Sequence, residues 1–215
     1  MNACELAEKI TVNTQSSIRI EGEKTVYFDP IQISEKRNDA DIVFVTHEHG
    51  DHFEPASIRN ISREDTVFVF PESMKEQASD AGFDTDRTVF MQPGGKTEVR
   101  GIRIVAVPAY NLIKPFHPKR KGWLGYKILI DGVSVYYSGD SDATKEMAAV
   151  KCGIALLPIG GKFTMNAKEA AKAACSIRPE VCIPVHYGSI VGKPEDEKNF
   201  AAGLPEGTVM LGKLF

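Results

Sequence analysis

Three of the chain's five histidines, His47, His49 and His52, fall within six residues and share them with Asp51, in the order HEHGDH. Imidazole and carboxylate side chains at this density are ligands for zinc or iron, and no cysteine stands among them to compete for the ion. The run follows Ile42–Thr46, a continuous apolar and β-branched stretch that reads as a buried strand. A strand end fixes the backbone from which these side chains project. His47 and His49 can reach one centre, and Asp51 and His52 can reach a second or orient a water. Gly50 permits a tight turn between the two pairs. Glu48 alternates with them and is expected to point away. A solvated, histidine-rich turn is the bland alternative, and it suits a lone histidine better than four ligand-type side chains in six positions.

Two more such residues end apolar runs elsewhere. Asp140 closes Tyr136-Tyr137-Ser138-Gly139-Asp140, and His186 follows Ile183-Pro184-Val185. Alone, Asp140 reads as a helix N-cap and His186 as a hydrogen-bonded edge residue. Beside HEHGDH they complete a set of strand-end ligands, and strand ends are where α/β-type sheets gather their chemistry.

The elements that must position them are short. Ser17–Ile20 and Thr25–Phe28 flank a turn at Glu21-Gly22-Glu23-Lys24, and Asp29-Pro30 stops the second strand. Helices are expected over 54–60, 72–81, 144–150, 167–176 and 195–202. Further strands are expected over 66–70, 88–91, 97–99, 102–107, 126–130, 133–138, 154–157, 181–185 and 208–211. Asp131-Gly132 marks a hairpin. The irregular stretch Ala109–Gly125 is longer than the roughly 12–15 residues usual for loops, which marks it as functional or mobile. No linker or shift in composition divides the chain, so one domain over 1–215 is expected, with two sheets and helices outside.

The ordered set T-H-x-H-x-D-H, a strand ending S-G-D and a strand ending P-x-H-Y-G resembles the metallo-β-lactamase superfamily. Within it, the chain is similar to the branch of small metal-dependent hydrolases that contains the ascorbate-phosphate lactonases. The resemblance spans most of the chain. It implies an α+β fold, a four-layer αββα sandwich of two packed mixed sheets with helices outside. It further implies two metals, Zn2+ or else Mn2+ or Fe2+, with His47 and His49 on the first, Asp51, His52 and His186 on the second, and Asp140 bridging. Cations so held would lower the pKa of a shared water from about 15.7 towards about 7, providing a nucleophile at neutral pH. Asp51 and Asp140 are therefore the candidate catalytic carboxylates, Asp51 also as proton acceptor if one metal is bound. The family expects one more histidine after the strand at 102–107, where this chain has Asn111. His117 either supplies that ligand from the loop or binds substrate, and the expectation adopted is the ligand. Flavodiiron relatives carry glutamate at the second motif position; His49 stands here, which favours hydrolysis.

Around His117 lie Lys114, Lys119, Arg120 and Lys121. They suggest a small anionic substrate, a phosphoester or lactone, with Asn111, Lys114 and Lys162 as contacts, Thr164 as a further one, and Trp123 and Tyr126 as an aromatic wall. The net charge of −3 offers no global field for nucleic acid, although an RNA nuclease and a non-catalytic metal-binding protein remain the competing readings. No apolar run approaches the roughly 18 residues of a membrane span, and the segment MNACELAEKI lacks an apolar signal core. Cys4, Cys152, Cys175 and Cys182 form no CxxC pair. Reduced thiols in a cytoplasmic chain are expected, the last three packing as small hydrophobes. Composition does not reach the oligomeric state.

Overall fold

A computed structural model describes residues 1–213. Its logic is clearest in β4 (Ala40–Phe44). Ile42 and Phe44 point into the layer between the two sheets, while Val43 and the following Val45 point outward beneath α2 (Pro55–Ile61). A strand buried on both faces must be apolar at every position, hence the continuous run in the sequence.

Strands β1 (Ile10–Thr14), β2 (Ser17–Glu21), β3 (Thr25–Phe28), β4, β5 (Ser62–Pro71) and β6 (Thr88–Met91) form one sheet in chain order. Its first two pairings are antiparallel and its last three parallel. The second sheet runs β7 (Lys96–Val99), β8 (Ile102–Pro108), β9 (Leu124–Ile130), β10 (Val133–Tyr137), β11 (Ile154–Pro158), β12 (Val181–Val185) and β13 (Val209–Met210). It too passes from antiparallel hairpins to parallel crossovers. Aromatic rings from both sheets fill the space between them: Phe28 stacks on Phe44 at 4.8 Å, and Tyr126 meets Phe44 at 5.0 Å. Helices α2 and α3 (Lys75–Asp80) cover the first sheet. Helices α4 (Lys145–Ala148), α5 (Ala167–Ile177) and α6 (Asp196–Ala201) lie against the second. This is the α+β, two-sheet architecture expected.

Several boundaries differ for local reasons. The first turn of the helix expected at 72–81 tightens to 3-10 geometry over Glu72–Met74. Helix α4 begins at Lys145 because the Thr144 side chain caps it, accepting from the Met147 N–H, so Asp140 is not its N-cap. Helix α1 (Ala3–Glu8) and β1 were not expected. Asn2 and Glu5 form a capping box that starts α1, and the six-residue helix is too short to show a clear apolar period. Of the three cysteines expected to pack inside, Cys182 is buried and Cys152 half-buried, but Cys175 is exposed on the outer side of α5; all four are free thiols.

Candidate metal centre

The parallel strands of both sheets deliver their C-terminal ends to one edge. His47, His49, Asp51 and His52 follow β4, Asp140 follows β10, and His186 follows β12. His186 has a left-handed backbone (φ 57°), and its N–H is held by the Gln15 carbonyl at 2.9 Å. Gly139 has φ 59°, and a Cβ there would lie 3.0 Å from the Thr46 side chain. Only glycine lets the β10 end approach the β4 end so closely while turning Asp140 inward. His117 comes from the long loop between β8 and β9.

Ligand-type atoms converge in three overlapping groups, His47–His49–His117, His47–His52–Asp140 and Asp51–His52–His186, within each of which the atoms lie within 4.8 Å of one another. Asp140 stands between the outer two. Its Oδ1 lies 3.3 Å from His52 Nε2, and its Oδ2 lies 3.3 Å from His117 Nε2 and 3.2 Å from His186 Nε2. Asp51 Oδ2 is 3.4 Å from His186 Nε2 and 3.7 Å from His52 Nε2. None of these approaches is aligned as a hydrogen bond at His52 Nε2, His117 Nε2, His186 Nε2 or Asp140 Oδ1, and all four atoms are buried. Each unpaired buried polar atom costs about 1–3 kcal/mol. Four that converge make a receptacle for cations, so the residues present fit the metals that the sequence resemblance implies.

The ring orientations have causes. Asp29, wholly buried at the end of β3, accepts from the Thr46 N–H, the Thr46 hydroxyl, the Tyr137 hydroxyl and His52 Nδ1 at 2.7, 2.7, 2.8 and 2.7 Å. With its proton given to Asp29, the Thr46 hydroxyl accepts from His47 Nδ1 at 2.9 Å. One carboxylate thus places the protons of His52 and His47 on Nδ1 and turns both Nε2 atoms to the centre. Asn111 does the same for His117: its Oδ1 lies 3.0 Å from the His117 N–H and 3.0 Å from Nδ1, while its Nδ2–H donates to the Phe163 carbonyl. In the sequence Asp29 reads only as a strand stop. An acid closing the strand beside the HEHGDH strand was the available signal.

Charge within the cluster is divided. Burial holds His47 well below the usual imidazole range, and the charge on His52 adds to this. Burial likewise lowers His49, with His117 as the next cause. For His52 and His186 burial also acts downward, but Asp140 outweighs it, aided by Asp29 for His52, and His186 is pushed up to about 9. Burial opposes ionisation of Asp51 and Asp140, yet the histidines prevail, holding Asp51 at about 2 and Asp140 well below the carboxylate range.

The weaker sequence expectations separate. Trp123 is buried against the ligand-type histidines, its ring 4.9 Å from His47, 4.8 Å from His49 and 5.5 Å from His117. Tyr126 belongs to the core instead, its hydroxyl donating to the Val45 carbonyl. Glu48 turns from the ligands, as expected, to accept from Lys121 and Trp123. Lys114 pairs with Asp142 at 2.7 Å, and Lys162 lies over the Phe163 ring at 4.9 Å. Thr164 is fully buried.

The beta-lactamase superfamily domain family matches residues 9–186. A UPF0173 metal-dependent hydrolase of Thermococcus onnurineus is 30% identical over 92% of this chain and 94% of its own length. Another, of Pyrococcus abyssi, is 32% identical over 88% and 90%. Among solved structures, a protein of Parabacteroides distasonis provisionally described as a metal-dependent hydrolase superposes with a TM-score of 0.78 at 27% identity, covering 96% of this chain and 92% of that one. The chain belongs to the beta-lactamase superfamily, with its metallo-β-lactamase fold. Within that superfamily it is a metal-dependent hydrolase.

Proposed function

We propose that this chain hydrolyses an ester-type bond in a small molecule, with two divalent cations, Zn2+ in the first instance, held by His47, His49 and His117 and by Asp51, His52 and His186, and bridged by Asp140. The observation that supports this reading is the ring of buried, unpaired Nε2 atoms around the Asp140 carboxylate. Bound there, the cations would supply hydroxide at neutral pH and stabilise charge on the oxygen of the scissile group. The chain's own contribution is orientation. Asp29 and Asn111 hold three imidazoles in the tautomer that offers Nε2, and Trp123 excludes water from one flank. With only one cation bound, Asp51, partly exposed and ionised, would instead be the acceptor of the proton that leaves the attacking water. In the overall reaction the acyl C–O bond breaks, water supplies the new C–O bond, and the products are a carboxylic acid and an alcohol, joined as one hydroxy acid when the substrate is a lactone.

A carboxylic ester or lactone is favoured over a phosphoester. Three of the four loop cations behind the phosphoester expectation, Lys114, Lys119 and Lys121, are bound to Asp142, Glu146 and Glu48 at 2.7, 3.0 and 2.8 Å, and only Arg120 has no ion pair among the described residues. Lys162, which has no ion pair among the described residues, remains as a contact for a carboxylate on the substrate. We place the activity in the cytoplasm, in keeping with four free thiols; no helix among the described residues is long and apolar enough to cross a membrane. The test is hydrolysis by the Zn2+- or Mn2+-loaded protein of a lactone panel, carboxylic esters, a bis-aryl phosphodiester and a short RNA. Turnover of lactones or esters is expected. Turnover confined to RNA or phosphodiester would replace this reading, and two metals per chain with no turnover of any class would make the protein a non-catalytic member of the fold.

A further inference from the structure

We infer that the substrate carries an apolar group, acyl or aryl, beside the bond that is cleaved; this rests on the hydrolase reading above. Three segments border the ligand cluster: the loop between β8 and β9 that carries His117, the loop between β11 and α5, and the loop after β12 that begins at His186. They form one continuous rim. The Phe163 carbonyl accepts from Asn111 Nδ2 at 2.9 Å, and the Phe116 ring meets the Phe163 ring edge-on at 4.8 Å. On the other side, a Cβ on Gly160 would lie 2.3 Å from the His186 carbonyl, and one on Gly192 would lie 3.1 Å from Gly160 Cα.

Six large hydrophobic residues are exposed among the described residues, and four of them stand on this rim: Leu112 (59% exposed), Ile113 (95%), Phe116 (41%) and Ile190 (60%). Single exposed apolar residues are ordinary and scatter over a surface. Here they gather on the two loops that carry His117 and His186, where Phe116 immediately precedes one candidate ligand and Ile190 follows the other by four positions. Apolar surface collected around a polar centre is the usual composition of a small-molecule site. Of the rim's cations, Lys114, Lys119 and Lys121 are each held by a carboxylate, which leaves Arg120 and Lys162 without an ion pair among the described residues. The cluster itself opens outward through His49 and Asp51, its partly exposed members. The apolar residues stand on the same loops that carry His117 and His186 beside that opening.

The experiment uses the full chain loaded with Zn2+ and two homologous series: p-nitrophenyl esters from acetate to octanoate, and γ-lactones with side chains from methyl to hexyl. If the rim takes an apolar group, kcat/KM rises along each series by up to about fourfold per methylene until the rim is covered. The rise flattens in Ile113→Ser and in the triple replacement of Leu112, Ile113 and Ile190 by Ser, with metal content and melting temperature as in the wild type. Ile113 is 95% exposed, so its replacement leaves the fold intact. Turnover that does not depend on chain length overturns the inference while leaving the hydrolase reading in place. A rise that persists undiminished in the serine variants overturns it too. A concentration-dependent dimer that the serine variants dissociate assigns the rim to a second copy and overturns it as well. Absence of turnover at every chain length, with two metals bound, removes the hydrolase reading and this inference together.

Discussion

Asp29 and Asn111 illustrate how a metal centre depends on side chains that touch no metal. Each accepts from an imidazole Nδ1–H and so decides which nitrogen faces the centre. Asn111 stands where the family is expected to place a ligand, and here its Oδ1 holds His117, the ligand proposed in its stead. Asn111→Leu, which removes the acceptor at similar volume, should weaken one of two bound metals by about 10–100-fold, while Asn111→Asp, which keeps the acceptor, should retain both. Competition with a chromophoric chelator reads this directly, and equal affinities in Asn111→Leu and wild type would contradict the assignment. Protonation adds a second prediction. In the metal-free protein His186 is raised from about 6.5 to about 9, chiefly because Asp140 outweighs burial. A raised folded-state pKa stabilises fully below the unfolded value, so this contribution is present below about pH 6.5 and lost as pH rises through about 9. Metal must displace the same proton, so its affinity rises over that interval. Urea midpoints of chelator-treated protein should fall between pH 6.5 and 9 while metal affinity climbs; midpoints that rise would contradict the charge division described.

The strands matter through where they stop. Each parallel strand near the centre of its sheet ends in a residue that leaves the sheet plane, and two of these residues, Asp29 and His186, pay for it with left-handed backbones at φ 45° and 57°. Gly139 ends β10 in close approach to β4. Gly139→Ala would force a side chain into φ 59° and against Thr46, whose hydroxyl links Asp29 to His47. We expect a loss of about 1–3 kcal/mol in denaturant unfolding together with weakened metal binding. A neutral substitution would show that the two strand ends have room that the geometry denies. The loop bearing His117 is anchored by two buried side chains: Asp142, which accepts from the Leu112 N–H at 2.9 Å and from Lys114 at 2.7 Å, and Asn111, whose Oδ1 lies 3.0 Å from His117 Nδ1.

At the scale of the molecule, two sheets of similar plan bring their strand ends to one edge, and the chemistry collects where they meet. Much of this was legible in the residues. The HEHGDH run declared itself because dense ligands after an apolar strand have few other uses, and Asp140 and His186 could be placed by the strands they close. Helix α1 stayed hidden because six residues are too few for a period. The role of Asp29 stayed hidden because one acid after a strand also serves as a simple stop. The pairing of the lysines near His117 stayed hidden for a different reason: their partners Glu48, Asp142 and Glu146 lie 27–73 residues away, and no local pattern reveals such pairing. In the proposed centre Asp140 joins two metal sites into one. Metal content per chain, measured by plasma mass spectrometry on wild type and Asp140→Ala alongside turnover of the best ester or lactone, tests it most directly. Two equivalents in the wild type, falling to one or fewer with loss of turnover in the variant, is the result predicted; unchanged metal content and turnover in Asp140→Ala would contradict it.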